Sequence, residues 1–190
     1  EINRMLTSHI ADLHFAPTIG AKEHLFKEGI DQSKIWVTGN TVIDALLMVT
    51  EHFEDPEAQV RWNEFFFNNW RISFDNHRII LVTGHRRESF GEGFQNICKA
   101  LKQIATTHKD IKLIYPVHLN PNVQEPVREI LSDVDNIHLI DPLDYEPFVY
   151  LMSRSFIILT DSGGIQEEAP SLGKPVLVMR VVTERPEAIE

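Results

Sequence analysis

The chain has 190 residues, 43% of them hydrophobic and 24% charged, which suits one large or two small folded domains and excludes a disordered segment. Its net charge of −10 argues against nucleic acid or an anionic membrane as the main partner. The single cysteine, Cys98, excludes an intramolecular disulfide and favours a cytoplasmic location, and no apolar run approaches the ~20 residues needed to span a membrane.

The first fifty residues alternate between helical and strand patterns. Helices are predicted at 1–13, 21–28 and 41–50, and short strands at 14–16 and 35–39. Two short strands are too few for an independent sheet. Residues 51–77 differ, because their aromatic side chains stand in an otherwise charged and amide-rich segment that we interpret as a helix and loop packed on one half of the chain. We therefore predict a boundary within 51–77, between a region 1–50 and a domain 78–190.

From residue 78 onward the pattern is regular. Five apolar runs predict strands at 79–83, 112–116, 137–140, 156–159 and 175–179. Helical patterns separate them at 93–108, 123–131 and 145–154, and another helix follows residue 162. This alternation predicts an α/β fold with a doubly wound, Rossmann-like parallel sheet. Ligands of such sheets bind outside the carboxyl ends of the strands, so the residues that follow each strand are the candidates for a site.

The stretch from Thr160 to Pro170 follows the fourth of these strands. Gly163 and Gly164 are expected to let the backbone turn into a helix, whose first N–H groups then suit a phosphate. Ser162 adds a hydroxyl donor, and Glu168 lies one turn further, where its carboxylate can accept hydrogen bonds from a diol such as a ribose. The alternative is a plain strand–helix turn in which Glu168 and its neighbour stabilise the helix dipole.

Basic side chains and histidines follow two other strands. His85, Arg86 and Arg87 form a candidate anion clamp, although a solvated basic loop remains an alternative. His118 lies at the same position after the next strand, where a structural and a functional role are equally compatible with the pattern. No carboxylate or cysteine stands at ligand spacing beside the two histidines, so no metal site is predicted. Arg185, after the last strand, can face a diphosphate or simply be exposed.

Several long motifs carry a close resemblance to a known family. They are Gly84–Gly91, Tyr115–Asn122, Thr160–Lys174, Thr183–Glu187, Val37–Asp44 and Glu1–Arg4. Together they resemble the bacterial non-hydrolysing UDP-N-acetylglucosamine 2-epimerases over nearly the whole chain except 51–77. The resemblance implies interconversion of UDP-N-acetylglucosamine and UDP-N-acetylmannosamine by elimination and re-addition of UDP, for surface polysaccharide synthesis. It also implies a homodimer that needs no metal or nicotinamide cofactor.

The resemblance further implies an architecture of two Rossmann domains, like that of glycosyltransferases of the B type, with the nucleotide between them. Residues 1–50 would be the tail of the N-terminal domain, and 78–190 most of the UDP-binding C-terminal domain. The catalytic carboxylates of the family would lie upstream of Glu1. We therefore expect a fragment that binds UDP weakly and does not epimerise by itself.

Residue roles follow from the same resemblance. The UDP-binding set would be Ser162, Gly163 and Gly164 at the diphosphate, Glu168 at the ribose, Leu143 and Phe148 at the uracil, and Arg185 at the diphosphate. His85 and Arg4 would act at the reacting end of the substrate. Arg86, Glu88 and His118 would hold a second, activating UDP-N-acetylglucosamine. Val181-Val182 stands where the family has Asp-Thr, so the loop before Arg185 is expected to differ.

Three other functions are compatible with the pattern. The chain can be the nucleotide-sugar domain of a glycosyltransferase, which shares the ribose-binding glutamate. A hydrolysing epimerase is disfavoured by the unbroken bacterial motifs. A non-catalytic remnant that only binds UDP or dimerises is the third.

Overall fold

The computed structural model describes residues 2–75, 77–86 and 91–180. The chain divides into two compact units between Ala45 and Leu46. This division precedes the predicted linker 51–77, and most of the described aromatic residues of that segment pack in the core of the second unit, although Phe67 is exposed. None of the described helices is long and apolar enough to cross a membrane.

The first unit contains two parallel strands and their helices. In chain order they are α1 (Ile2–Ile10), β1 (His14–Ala16), α2 (Ile19–Lys27), a 3-10 helix (Gln32–Lys34), β2 (Ile35–Val37) and α3 (Thr41–Glu51), which runs on into the second unit. The side chain of Thr18 caps α2 by accepting from the Ala21 N–H, and Gly29, at φ +90°, follows its end. The core is small, and large side chains such as Phe15 and Trp36 remain exposed within this unit.

The second unit is built on a five-stranded sheet. After a 3-10 helix (His52–Glu54) its elements are α4 (Pro56–Trp70), β3 (Arg78–Thr83), α5 (Glu92–Thr107), β4 (Ile111–Pro116), α6 (Pro121–Leu131), β5 (Ile137–Ile140), α7 (Tyr145–Arg154), β6 (Ile157–Thr160), α8 (Gly163–Ser171) and β7 (Val176–Val178). All neighbouring strands are parallel, in the order β5-β4-β3-β6-β7. The predicted doubly wound, Rossmann-like sheet is confirmed.

Helices cover both faces of this sheet. On one face α5 and α6 contribute buried residues such as Phe94, Leu101 and Val127. On the other face α4, α7 and α8 pack together with the end of α3, through residues such as Leu46 and Phe66. The central strands β3, β4 and β6 are buried on both faces and are apolar almost throughout, which is why they were recognisable from continuous apolar runs. The edge strand β7 is apolar too, although Leu177 is exposed.

The strand order places one crevice at the centre of the sheet. From β3 the chain proceeds to β4 and β5 on one side, and it then returns to β6 on the other side of β3. The loops that follow β3 and β6 therefore leave their strands side by side and diverge. In open parallel sheets this reversal of strand order is where ligands bind.

Candidate functional site

Asp161 joins the loops that follow β3 and β6. Its side chain is 2% exposed, and its Oδ2 accepts hydrogen bonds from the backbone N–H groups of His85 and Arg86, both at 2.8 Å. Immediately before it, the hydroxyls of Thr83 and Thr160 share a hydrogen bond of 2.5 Å. These contacts fix the position of the His85 backbone relative to the start of α8. Sequence analysis did not identify Asp161, because its role depends on the adjacency of β3 and β6.

A second anchor holds the same loop from the side of β4. The hydroxyl of Tyr115 donates to the carbonyl of Gly84 at 2.6 Å. Burial raises the pKa of Tyr115 far above its ordinary value, so the hydroxyl keeps its proton and remains a donor. A Cβ on Gly84 would lie 3.1 Å from this hydroxyl oxygen, so a larger residue here would press on the anchoring hydroxyl.

His85 and His118, the two histidines predicted at the carboxyl ends of the strands, lie against each other. The rings of His85 and His118 are stacked, with centroids 5.4 Å apart and planes inclined by 13°. Nδ1 of His118 accepts a hydrogen bond of 3.1 Å from the N–H of Asn120, whose own side chain caps α6. Nδ1 of His85 lies 3.5 Å from Oδ1 of Asp161. Among the described residues, no group of three His, Cys, Asp or Glu side chains is placed to hold a metal.

The N-terminus of α8 begins directly after β6. Ser162 is the N-cap residue, but its side chain makes no capping hydrogen bond, and its N–H donates to the Thr160 hydroxyl. The donors that remain at this end are therefore the N–H groups of the first helical turn, beginning at Gly163, together with the Ser162 hydroxyl. Such an end attracts anions through its unpaired N–H groups and the helix dipole.

The two glycines act differently from the expectation. Gly163 and Gly164 are the first residues of α8, and neither has the positive φ that a tight glycine turn would require. What matters at Gly164 is space, because a Cβ there would lie 3.3 Å from Oε1 of Glu168. The missing side chain thus leaves the carboxylate of Glu168 next to Gly164, the exposed residue of the first turn of the helix.

Glu168 is half-buried one turn along α8. Burial, followed by the nearby charge of Glu167, raises its pKa above the ordinary value. Leu143 and Phe148 are also half-buried, and they pack against the core cluster that contains Ile165 of α8. The predicted uracil contacts and the predicted ribose contact therefore belong to the same face of the sheet.

The remaining predicted residues lie elsewhere. Arg4 is in the first unit, where its guanidinium forms two hydrogen bonds with the Glu28 carboxylate, one of them 3.0 Å long. This pairing lowers the pKa of Glu28. Arg87, Glu88 and Arg185 lie outside the described residues, so their assigned roles stay predictions.

Comparison with known proteins identifies the family. The profile of the UDP-N-acetylglucosamine 2-epimerase family matches residues 1–190. A probable UDP-N-acetylglucosamine 2-epimerase from Ralstonia nicotianae is 60% identical over 190 residues, and the enzyme of Escherichia coli K12 is 57% identical over 189. In both cases the match covers 100% of this chain and 50% of the relative.

Solved structures agree with the sequence match. The Neisseria meningitidis UDP-GlcNAc 2-epimerase bound to UDP-GlcNAc superposes with a TM-score of 0.92 at 51% identity, over 100% of this chain and 50% of that one. The Methanocaldococcus jannaschii enzyme in complex with UDP-GlcNAc and UDP has a TM-score of 0.78 at 35% identity, with 100% and 51% covered. The chain thus spans about half the length of the curated relatives it matches. It belongs to the UDP-N-acetylglucosamine 2-epimerase family.

Proposed function

We propose that the chain is the UDP-binding half of a non-hydrolysing UDP-N-acetylglucosamine 2-epimerase. The whole enzyme interconverts UDP-N-acetylglucosamine and UDP-N-acetylmannosamine by eliminating UDP and adding it back. The observation that carries this proposal is the N-terminus of α8, which offers unpaired N–H groups with the half-buried carboxylate of Glu168 one turn further on. Residues 1–50 would then belong to the tail of the N-terminal Rossmann-like domain, and residues 51–77 would form the linker and packing segment between this tail and the UDP-binding domain.

The hydrogen-bond donors and acceptors around the N-terminus of α8 are complementary to the chemical groups of UDP. The diphosphate carries several anionic oxygens, which the N–H groups of Gly163 and Gly164 and the hydroxyl of Ser162 can bind. The ribose presents a vicinal diol, for which Glu168 supplies acceptors. The family resemblance assigns the uracil to Phe148 and to the backbone of Leu143. The diphosphate and ribose assignments follow from the chemistry of the residues as well as from family membership.

The reaction gives the cationic residues a role. When the C1–O bond breaks, the departing diphosphate gains negative charge, and groups already aimed at that charge stabilise the transition state more than the ground state. His85 and Arg185 would serve this purpose, and Arg4 would act near the sugar. Proton transfer at C2 needs general acid–base carboxylates, which the family resemblance places outside this chain. The chain alone is therefore expected to bind UDP without epimerising.

A second nucleotide-sugar would bind beside the first. Arg86, Glu88 and His118 are the residues proposed to hold this activating UDP-N-acetylglucosamine. The stacking of His118 on His85 supports the proposal, because it puts a residue of one site in contact with a residue of the other. We further propose a cytoplasmic homodimer that supplies surface polysaccharide synthesis.

Calorimetric titration of the chain with UDP tests the proposal. We expect saturable binding that Ser162→Ala weakens and Glu168→Gln weakens further. Glu167→Gln is the matched control, since it makes the same change of charge at the neighbouring position of α8 and should bind like the wild type. No binding by a folded wild-type chain, or equal losses in the two Gln variants, would refute a UDP site at α8.

Epimerase activity is tested in a chimeric protein that supplies the other half of the enzyme. The chain would replace the matching half of the Escherichia coli relative, which is 57% identical to it. Formation of UDP-N-acetylmannosamine from UDP-N-acetylglucosamine supports the epimerase. Consumption of the sugar only with an added acceptor would instead identify a glycosyltransferase, and UDP binding without turnover would identify a binding remnant.

A further inference from the structure

The stacked histidines differ in what faces their Nδ1 atoms. Nδ1 of His118 is 3.1 Å from the backbone N–H of Asn120, which can only donate a hydrogen bond. Nδ1 of His118 is therefore the acceptor, and in the neutral ring the proton lies on Nε2. The exposed end of His118 is thus an N–H donor.

Nδ1 of His85 faces a group of the opposite kind. Oδ1 of Asp161 lies 3.5 Å away, is buried and has no hydrogen-bond partner among the residues that the structure describes, whereas Oδ2 of the same carboxylate accepts from two backbone N–H groups. A carboxylate oxygen can only accept. A buried acceptor without a partner is costly, so this oxygen favours a proton on the facing nitrogen. Hydrogen bonds of such pairs are often long without ligand and shorten when it binds.

We propose that Asp161 is a positioning residue that holds His85 as the Nδ1–H tautomer, opposite to the tautomer of the stacked His118. The exposed Nε2 of His85 then carries a lone pair, while the exposed Nε2 of His118 carries a proton. Of the two exposed ends, only that of His85 can take up a proton.

The consequence for the reaction rests on the proposed function. When Nε2 of His85 carries a proton, it donates to the diphosphate while Nδ1–H remains directed at Asp161. His118 donates from its Nε2–H to the second ligand. Asp161 thus acts through His85 and through the loop that it anchors, and it does not touch the substrate itself.

Imidazole NMR of the chain without UDP tests the tautomers directly. Long-range proton–nitrogen spectra, recorded where both rings are neutral, show which nitrogen of each ring lacks a proton, because that nitrogen resonates well downfield. His85→Gln and His118→Gln assign the signals. We expect the downfield nitrogen to be Nε2 in His85 and Nδ1 in His118. A downfield Nδ1 in His85, or the same tautomer in both rings, would overturn the proposal.

Asp161→Asn provides the variant test. Its amide oxygen can still accept from the His85 and Arg86 N–H groups, while its NH2 group now donates to Nδ1 of His85. We expect His85 to switch to the Nε2–H tautomer, with His118 unchanged. Asp141→Asn, the same change in an exposed residue after β5, is the control and should leave both tautomers as they are.

An unchanged His85 tautomer in folded Asp161→Asn would refute the positioning role. Should that variant not fold, the wild-type spectrum decides alone. Since the tautomers are measured without nucleotide, a failure of this proposal is distinguishable from a failure to bind UDP.

Discussion

Replacing Tyr115 with Phe tests whether the loop after β3 depends on one buried hydroxyl. In the native chain this hydroxyl donates to the Gly84 carbonyl at 2.6 Å, and the side chain is 1% exposed. Phe fills almost the same space, so the change removes a donor without creating a large cavity. Leaving a buried acceptor short of a partner costs about 1–3 kcal/mol in the free energy of unfolding. In a chain of this length, each kcal/mol corresponds to a fall in Tm of roughly 2–4 °C.

Equilibrium unfolding in urea, followed by circular dichroism, measures this cost. Tyr145→Phe is the matched control, because it removes the same hydroxyl from a residue that is 45% exposed. We expect the control to remain within ~0.5 kcal/mol of the wild type. If Tyr115→Phe were no less stable than Tyr145→Phe, the Tyr115 hydroxyl would not anchor the loop, and the reasoning from burial would be wrong.

Three further predictions concern α8 and the core. Burial and the charge of Glu167 raise the pKa of Glu168, so the folded chain binds the proton of this carboxyl more tightly than the unfolded chain does. The free energy of unfolding of the wild type should therefore fall as pH rises from the ordinary Glu range through the raised pKa. In Glu168→Gln this part of the decline should be missing when the free energy of unfolding is measured in urea over a series of pH values. If the variant and the wild type lost stability in parallel as pH rises, the prediction would be contradicted. Gly164→Ala places a methyl group 3.3 Å from Oε1 of Glu168. We expect calorimetry to show UDP binding weakened about tenfold, which corresponds to the loss of one hydrogen bond, while the free energy of unfolding stays the same. Burial raises the pKa of Cys98 to about 11, so iodoacetamide should modify this thiol only as the chain unfolds, and rapid labelling of the native chain would show that the thiol is accessible.

The sheet was predictable because its central strands are buried on both faces. Each of the five strands is a run of mostly apolar residues between turn or capping residues, and this local signal survives without knowledge of the partner strands. The start of α8 was harder to predict from the sequence. Two successive glycines are poor helix formers, so the sequence favoured a turn there, whereas the structure begins the helix at Gly163.

The residues of the site were predictable only in part. His85, His118 and Ser162 stand out because each follows a strand, and the carboxyl ends of parallel strands meet at one rim. The roles of Asp161 and Tyr115 were not predictable in this way. A buried carboxylate and an exposed one look identical in sequence, and only the pairing of β3 with β6 brings Asp161 to the His85 backbone. Tyr115 begins one of the motifs that resemble the family, but nothing in the sequence indicates that its hydroxyl reaches the Gly84 carbonyl.

The pairing of β3 with β6 also has a consequence for how the chain folds. Thr83 and Thr160, which share the hydrogen bond at the crevice, are separated by 77 positions in sequence. Closing a loop of that length costs roughly 4 kcal/mol of chain entropy beyond the constant term. Strands β3, β4 and β5, by contrast, pair with their nearest neighbours in sequence. We therefore expect the His85 loop and the α8 terminus to meet late in folding, so that a ligand that bridges them would report on completion of the native sheet.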